Sequence, residues 1–357
     1  MSVHVDFIGR LGNNLFQYSV GRIIAEHHGA ALDCQQIPLH HDHPGNSLNV
    51  RGPAGLQDLS VAFPAAPMTI DGTRSSARRI EYIVGRTLGW QGQRLPLRSL
   101  LSAGFVPNIR LRGFFQRFEY LADYQSDIRK WLTPVDLVPR FHVASHDVVV
   151  NIRRGRDFSA FGWILPLSYY DCALRQIPNI GTVFVCGTGI DDNVRSALCG
   201  YAPIYFDGSP IETFCFMRRF RRHVLSNSTF SWWAAFLSNG NLLLGPHSRD
   251  GGAFAFTGYG DVDLDMRSHS YRPQSVGAFA CTIATASFNG SSVSARTLEL
   301  WCLACDIVGQ PHEAASLKFD FSLTTSDRIL GRVIEELEAA KAIDVMLAIH
   351  EPSARVH

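Results

Sequence analysis

In the stretch VVVNIRRGRDF, residues 148–158, a run of β-branched apolar residues stops and Arg153 and Arg154 follow at once. A guanidinium keeps its proton at any physiological pH and offers a planar fork that fits phosphate oxygens. Two in succession at the mouth of a buried strand suit a doubly charged anion, with Gly155 letting the backbone come close. The bland alternative is a pair of surface arginines making weak salt bridges. A second stretch, HVLSNSTFSWWAAFLSNG, runs from a strand into Ser226, Asn227, Ser228 and Thr229 and then a helix with Gly240 near its end. Its hydroxyls can cap the helix, whose first N–H groups attract an anion without any cation; read plainly, it is a capped helix with Trp232 and Trp233 in the core. In a third, GRLGNNLFQY, Gly9 and Gly12 permit a close turn, and Asn13, Asn14 and Gln17 can point amides into a cleft between domains. Alone, that stretch is a glycine turn and a capped helix.

Other chemistries find little support. No G-x-x-x-x-G-K-[ST] loop occurs, and in the G-T-G at 187–189 Asp192 stands where a dinucleotide fingerprint needs its third glycine. Cys302 and Cys305 form a lone C-x-x-C inside a helical pattern, and the eight cysteines lie mostly in apolar runs, as buried free thiols do. That distribution reads as a reducing compartment. The formal charge of +1 gives no overall field for nucleic acid or an anionic membrane, so any anion must be met locally. Neither a basic-then-apolar leader nor a window of about 18 apolar residues is present, and a soluble protein is expected.

The elements that must position these residues follow from periodicity. VHVDF predicts a strand entering the IGRLGNN turn, and Phe16, Val20, Ile23, Ile24 and His27 predict a helix that Gly29 ends. Residues 36–75 give long loops, and 76–133 read as basic amphipathic helices interrupted by the aromatic cluster LRGFFQRFEYLADY. From VVVNI onward, strands TVFVC, PIYF, HVLSN and NLLLG alternate with helices near 167–176, 191–198, 210–221 and 229–238. Strands apolar on both faces with helices between them predict a parallel doubly wound sheet, which binds ligands at its carboxyl edge. After 275 the order changes to β-α-β-β-α-β, a ferredoxin-like α+β module, whose helix with Glu335, Glu336 and Glu338 is most simply solvated. Domains are therefore expected at 1–145, 146–274 and 275–357.

Taken in order, GRLGNNLFQY, NIRRGRDF and SNSTFSWWAAFL resemble the motifs of the bacterial and animal α-1,2-fucosyltransferases, G-G-L-G-N-Q-L-F-Q-Y, H-I-R-R-G-D-Y and N-S-S-F-S-W-W-A-A-W-L. GFFQRFEYL at 113–121, Tyr169, Tyr170 and the acidic pair Asp191 and Asp192 add to a resemblance that runs through roughly residues 5 to 245. It implies two facing Rossmann-like α/β domains of the GT-B type, the first on the acceptor side and the second holding GDP-fucose. It also implies a metal-independent, inverting transfer of L-fucose from GDP-β-L-fucose to the 2-hydroxyl of a terminal galactoside. Carried over, Arg153 and Arg154 face the GDP phosphates, and Gly12, Asn14, Asn151, Gly155, Ser226, Asn227, Ser228, Thr229 and Phe230 complete the donor site. Asp191 or Asp192 meets guanine, while Asn13 and Gln17 reach the reacting region. No cofactor is implied. The acceptor implied is a surface glycan built on the cytoplasmic side, with membrane contact through a lipid-linked acceptor; for the C-terminal module, self-association and the sensing of a small ligand both stay open.

Two departures from the motifs matter. Asn151 replaces the histidine, and an amide cannot hold a proton at neutral pH, so no role as base passes to it. Arg156 is inserted, which brings Asp157 one position late; Asp157 and Glu119 stay open as the base for the acceptor hydroxyl. Two further readings also stay open. One is a transferase for another GDP-sugar or fucosyl linkage, the other a catalytically impaired GDP-sugar-binding or regulatory protein.

Overall fold

The computed structural model describes residues 2–7, 9–34, 59–71, 82–84, 97–102, 109–135, 137, 140–155, 158, 164–248, 252–253, 264, 266, 271–275, 281–288, 294–308, 310–320, 333, 336–337 and 340–350. It is a mixed α/β molecule with two largely parallel sheets and a small antiparallel one.

In the first sheet, strands β1 (Ser2–Asp6), β2 (Ala31–Asp33), β3 (Thr69–Ile70), β4 (Tyr82–Val84) and β5 (Ile109–Arg112) take the order β3-β2-β1-β5-β4. β1 pairs in parallel with both β2 and β5. Helix α1 (Leu11–His28) connects β1 to β2 and ends on Gly29, which takes the left-handed conformation (φ 60°) and donates its N–H to the carbonyls of Ala25 and Glu26. The 76–133 segment departs from its helical expectation. Besides the short helices α2 (Leu97–Ser102) and α3 (Gln125–Trp131), it supplies strands β4 and β5. IRLR alternates with period two, burying Ile109 and Leu111, while Arg110 reaches Asp6 at 3.0 Å. Its arginines mimic the polar face of a helix, so the strand is masked in a short window.

The second sheet contains β6 (Val148–Arg153), β7 (Val183–Thr188), β8 (Ile204–Tyr205), β9 (Arg222–Val224), β10 (Leu242–Ser248), β11 (Gly252–Ala253) and β12 (Tyr271–Ser275). Its main path is β11-β10-β9-β6-β7-β8, with β12 on β10. Helices α4 (Leu167–Arg175), α5 (Asp192–Leu198), α6 (Pro210–Met217) and α7 (Thr229–Phe236) link successive parallel strands as their alternation predicts. α6 starts on a reciprocal capping box between Ser209 and Glu212. Strand order reverses between β6 and β9, as it does in the first sheet between β1 and β5. Both are switch points at whose carboxyl edge a crevice opens.

The two faces of β6 pack differently. Val148, Val150 and Ile152 lie in one apolar cluster with α4 and α5, whereas Val149 lies in another with α6, α7 and the core of the first sheet. That second cluster is continuous from Val3 and Phe16 to Trp232 and Trp233, with Phe16 4.9–5.0 Å from both indoles. The two sheets therefore share one core. His223, on β9, is fully buried with Nε2 on the Phe220 carbonyl, and Nδ1 has no partner. Burial pushes its pKa down to about 4, so it is neutral. Because the unfolded chain binds a proton near pH 6.5 and the folded one does not, stability is full above that value and falls as pH drops toward 4. We expect a loss of about 2 kcal/mol on going from pH 7.5 to pH 5, read as a shift in urea midpoint, and a smaller loss in His223→Gln.

The last sheet has the order β14-β13-β15, from β13 (Cys281–Phe288), β14 (Ser316–Asp320) and β15 (Ile343–His350), all antiparallel. This corrects the ferredoxin-like expectation, in which the strand after the first helix would not neighbour β13. Helix α8 (Ala295–Val308) does not carry the chain across the sheet. The Phe288 N–H bonds the Ala315 carbonyl, so the chain re-enters at the end it left. Residues 321–332, which include the expected FSLTT strand, lie outside the described residues.

Candidate active site

The motifs collect at the carboxyl edges of the two switch points. GRLGNN follows β1 and GFFQ, residues 113–116, follows β5; Arg153 ends β6 and SNST follows β9. One atom ties three of these stretches together. Asn13 Oδ1 accepts from Thr229 Oγ1 at 3.0 Å and from Gln116 Nε2 at 2.9 Å. The starts of α1 and α7 touch where a glycine is required. A Cβ on Gly12 would stand 2.6 Å from the Phe230 backbone nitrogen and 2.7 Å from the Thr229 carbonyl carbon. Two helix N-termini thus face each other across a gap too narrow for alanine. We expect Asn13→Ala and Thr229→Val, combined in a double-mutant cycle on stability, to couple by about 1 kcal/mol.

Strand alternation separates the two arginines. Arg153 shares the face of Val149 and Asn151, toward α6 and α7, and is partly exposed. Its Nη1 donates to Thr188 Oγ1 at 3.1 Å, and its guanidinium lies 4.7 Å from the Phe158 ring centre. Arg154 turns the other way and is 5 % exposed, with Nη1 donating to the Leu165 carbonyl at 3.0 Å. Thus one guanidinium stands at the edge of the crevice while the other braces the start of α4. Arg156 and Asp157 lie outside the described residues.

Several side chains assigned to the cleft are interior. Gln17 is fully buried, its Nε2 donating to the Gly113 carbonyl and its Oε1 accepting from Asn14 Nδ2, so it holds the end of β5. Asn151 is buried too. It accepts the Ser226 hydroxyl at 2.6 Å and points its amide at Cys186 and Met217 sulfurs. Burial pushes the Cys186 thiol up to about 12, so it stays neutral, and a charged imidazole at 151 would be desolvated among these groups. Ser226 therefore joins β6 to β9. Ser228 caps α7 through the Phe230 N–H at 3.3 Å, and Asn227 is 1 % exposed. Phe230 is partly buried against Phe214.

Gly155 closes a turn, its carbonyl accepting from the Phe158 N–H. Asp191 caps α5 through the Val194 N–H at 2.9 Å, and Asp192 begins that helix; both are exposed at the carboxyl end of β7. Glu119 is exposed and ion-paired with Arg117 at 2.6 Å. Tyr169 and Tyr170 are core residues of α4, the former bonding the Leu225 carbonyl. Sequence reasoning missed Gln116 and Thr188 as site residues. Gln116 stood inside the GFFQ stretch, and Thr188 inside the G-T-G run considered only as a dinucleotide motif.

Residues 111–244 match the model of glycosyl transferase family 11. This is the α-1,2-fucosyltransferase family that the motifs resemble, matched over a little more than a third of the chain. The family 11 segment runs from within β5 into the start of β10, and so contains Gln116, Arg153 and Thr229. Asn13 reaches it from outside, through hydrogen bonds. No curated protein and no solved structure matches the chain. Among the described residues no group of three or more His, Cys, Asp or Glu could hold a metal ion, and no helix is long and apolar enough to cross a membrane.

Proposed function

We propose that the protein is an inverting glycosyltransferase that moves L-fucose from GDP-β-L-fucose to the 2-hydroxyl of a terminal galactoside, on a glycan assembled at the cytoplasmic face of a membrane. The supporting observation is the junction at Asn13 Oδ1, which joins the start of α1, the loop after β5 and the start of α7 beside the strand that presents Arg153. In this reading the diphosphate lies along the carboxyl ends of β6 and β9. Arg153, steadied by Thr188 and Phe158, meets the negative charge that develops as the bond from fucose to GDP breaks. The positive end of α7 adds to the same field. Arg154 acts from behind by fixing the 154–165 connection. Asp191 and Asp192, one strand away on β7, are placed for the guanine end.

Inversion requires the acceptor oxygen to attack opposite the departing phosphate, so the acceptor enters from the first sheet, past Gln116 and Asn13. Charge on GDP is met here by the protein itself, with no cofactor in the reaction. Incubation with GDP-fucose and a mixed galactoside library, followed by linkage analysis, tests the reading. An α-1,2-linked product is expected. Transfer only from another GDP-sugar, or GDP binding by calorimetry with no product from any galactoside, would overturn it.

A further inference from the structure

We propose that a hollow between α1 and α3, away from the donor crevice, is a binding site for a neutral pyranose unit. It has a volume of about 330 Å³ and is lined by Ile23, Glu26, His27, Tyr124, Asp127 and Trp131. That is within the size range of small-molecule sites, about 300 to 1,000 Å³. The Tyr124 and Trp131 rings supply apolar surface of the kind that packs against the C–H face of a sugar. Arg22 lies 4.5 Å over the Trp131 ring and holds the indole in place.

The polar groups are rich in acceptors. Glu26 Oε1 takes Arg22 Nε at 3.2 Å and Asp127 Oδ1 takes Lys130 Nζ at 3.2 Å, so each carboxylate has a cation beside it and keeps its other oxygen for a ligand. His27 Nε2 lies 2.7 Å from the Leu101 carbonyl and donates to it, which fixes the ring at the edge of the hollow. The Tyr124 hydroxyl can donate or accept. A set of acceptors whose charges are already balanced suits a ligand bearing many hydroxyl donors and no charge. Phosphates are disfavoured by the carboxylates, and an organic cation is disfavoured by Arg22 and Lys130.

Position suggests the use. From Asn13 to His27 the helix advances about 20 Å. If the reading under Proposed function is right, the hollow holds a remote residue of a long acceptor glycan whose end is being modified; the binding itself does not depend on that reading.

The test is saturation-transfer NMR on the whole protein with a neutral β-galactoside-terminated tetrasaccharide, against tetramethylammonium and inorganic phosphate as competing probes. Saturation transfer from the tetrasaccharide is expected, with roughly tenfold weaker binding in Tyr124→Ala and in the milder double variant Glu26→Gln, Asp127→Asn. Arg153→Ala should bind it as the unaltered protein does, which separates this site from the donor crevice. In turnover assays Tyr124→Ala should raise KM for the tetrasaccharide and leave kcat, and KM for a simple galactoside, unchanged. Equal binding in the unaltered and hollow variants, no transfer from any neutral sugar, or displacement only by tetramethylammonium would overturn the proposal. Failure to turn over GDP-fucose would bear on the catalytic reading alone.

Discussion

Arg153→Ala is expected to lower kcat/KM by about 2 to 4 kcal/mol, or roughly 30- to 1,000-fold, with little change in stability. The guanidinium sits at the end of β6, partly exposed, and touches Thr188 and Phe158 at the rim of the sheet rather than in its core. Removing it leaves the sheet intact and takes a fixed positive charge from where the leaving diphosphate would gain negative charge. Lysine at this position restores the charge without the planar fork, so Arg153→Lys should recover part of the loss. Arg154→Ala should behave differently, since its buried side chain supports the Leu165 carbonyl; loss of stability should accompany any loss of rate. Steady-state kinetics alongside urea titrations separate the two patterns. Equal rates for Arg153→Ala and the unaltered enzyme would remove the arginine from the mechanism.

Gly12→Ala is expected to destabilise the protein by about 3 kcal/mol, at the upper end of overpacking effects, and to reduce turnover more than tenfold. Two of the three atoms that its methyl would meet are backbone atoms of α7, which cannot swing aside as a flexible side chain can. The helices must separate instead, stretching the Thr229 to Asn13 hydrogen bond that aligns the motifs. Chemical denaturation measures the first effect. Rates below the melting range, where the variant is still folded, measure the second; normal activity there would show that the junction does not align the site.

Much of the second sheet is legible from residues alone. VVVN, VFVC and LLLG are buried on both faces, so their composition announces parallel strands, and each intervening helix has apolar positions at its own period. The first sheet is harder because β4 and β5 are only three and four residues long, and the arginines of IRLR imitate a helical surface. The site was legible as a set of stretches, and less so in which side chain does what. A strand's alternation sends Arg153 and Arg154 to opposite faces, and an amide such as Gln17 looks the same in sequence whether it meets a ligand or a carbonyl of its own chain. The C-terminal order of elements misled because element order does not say at which end of a sheet the chain re-enters.

The meeting of α1 and α7 at Gly12 brings like poles together. Each helix start carries about half a positive charge, and α1 adds Arg10 as its flanking residue with no carboxylate in its first turn. The two helix starts therefore repel each other, and a polyanion held between them would relieve that repulsion. GDP should accordingly raise the melting temperature by more than guanosine does, and the difference should shrink as salt screens the field.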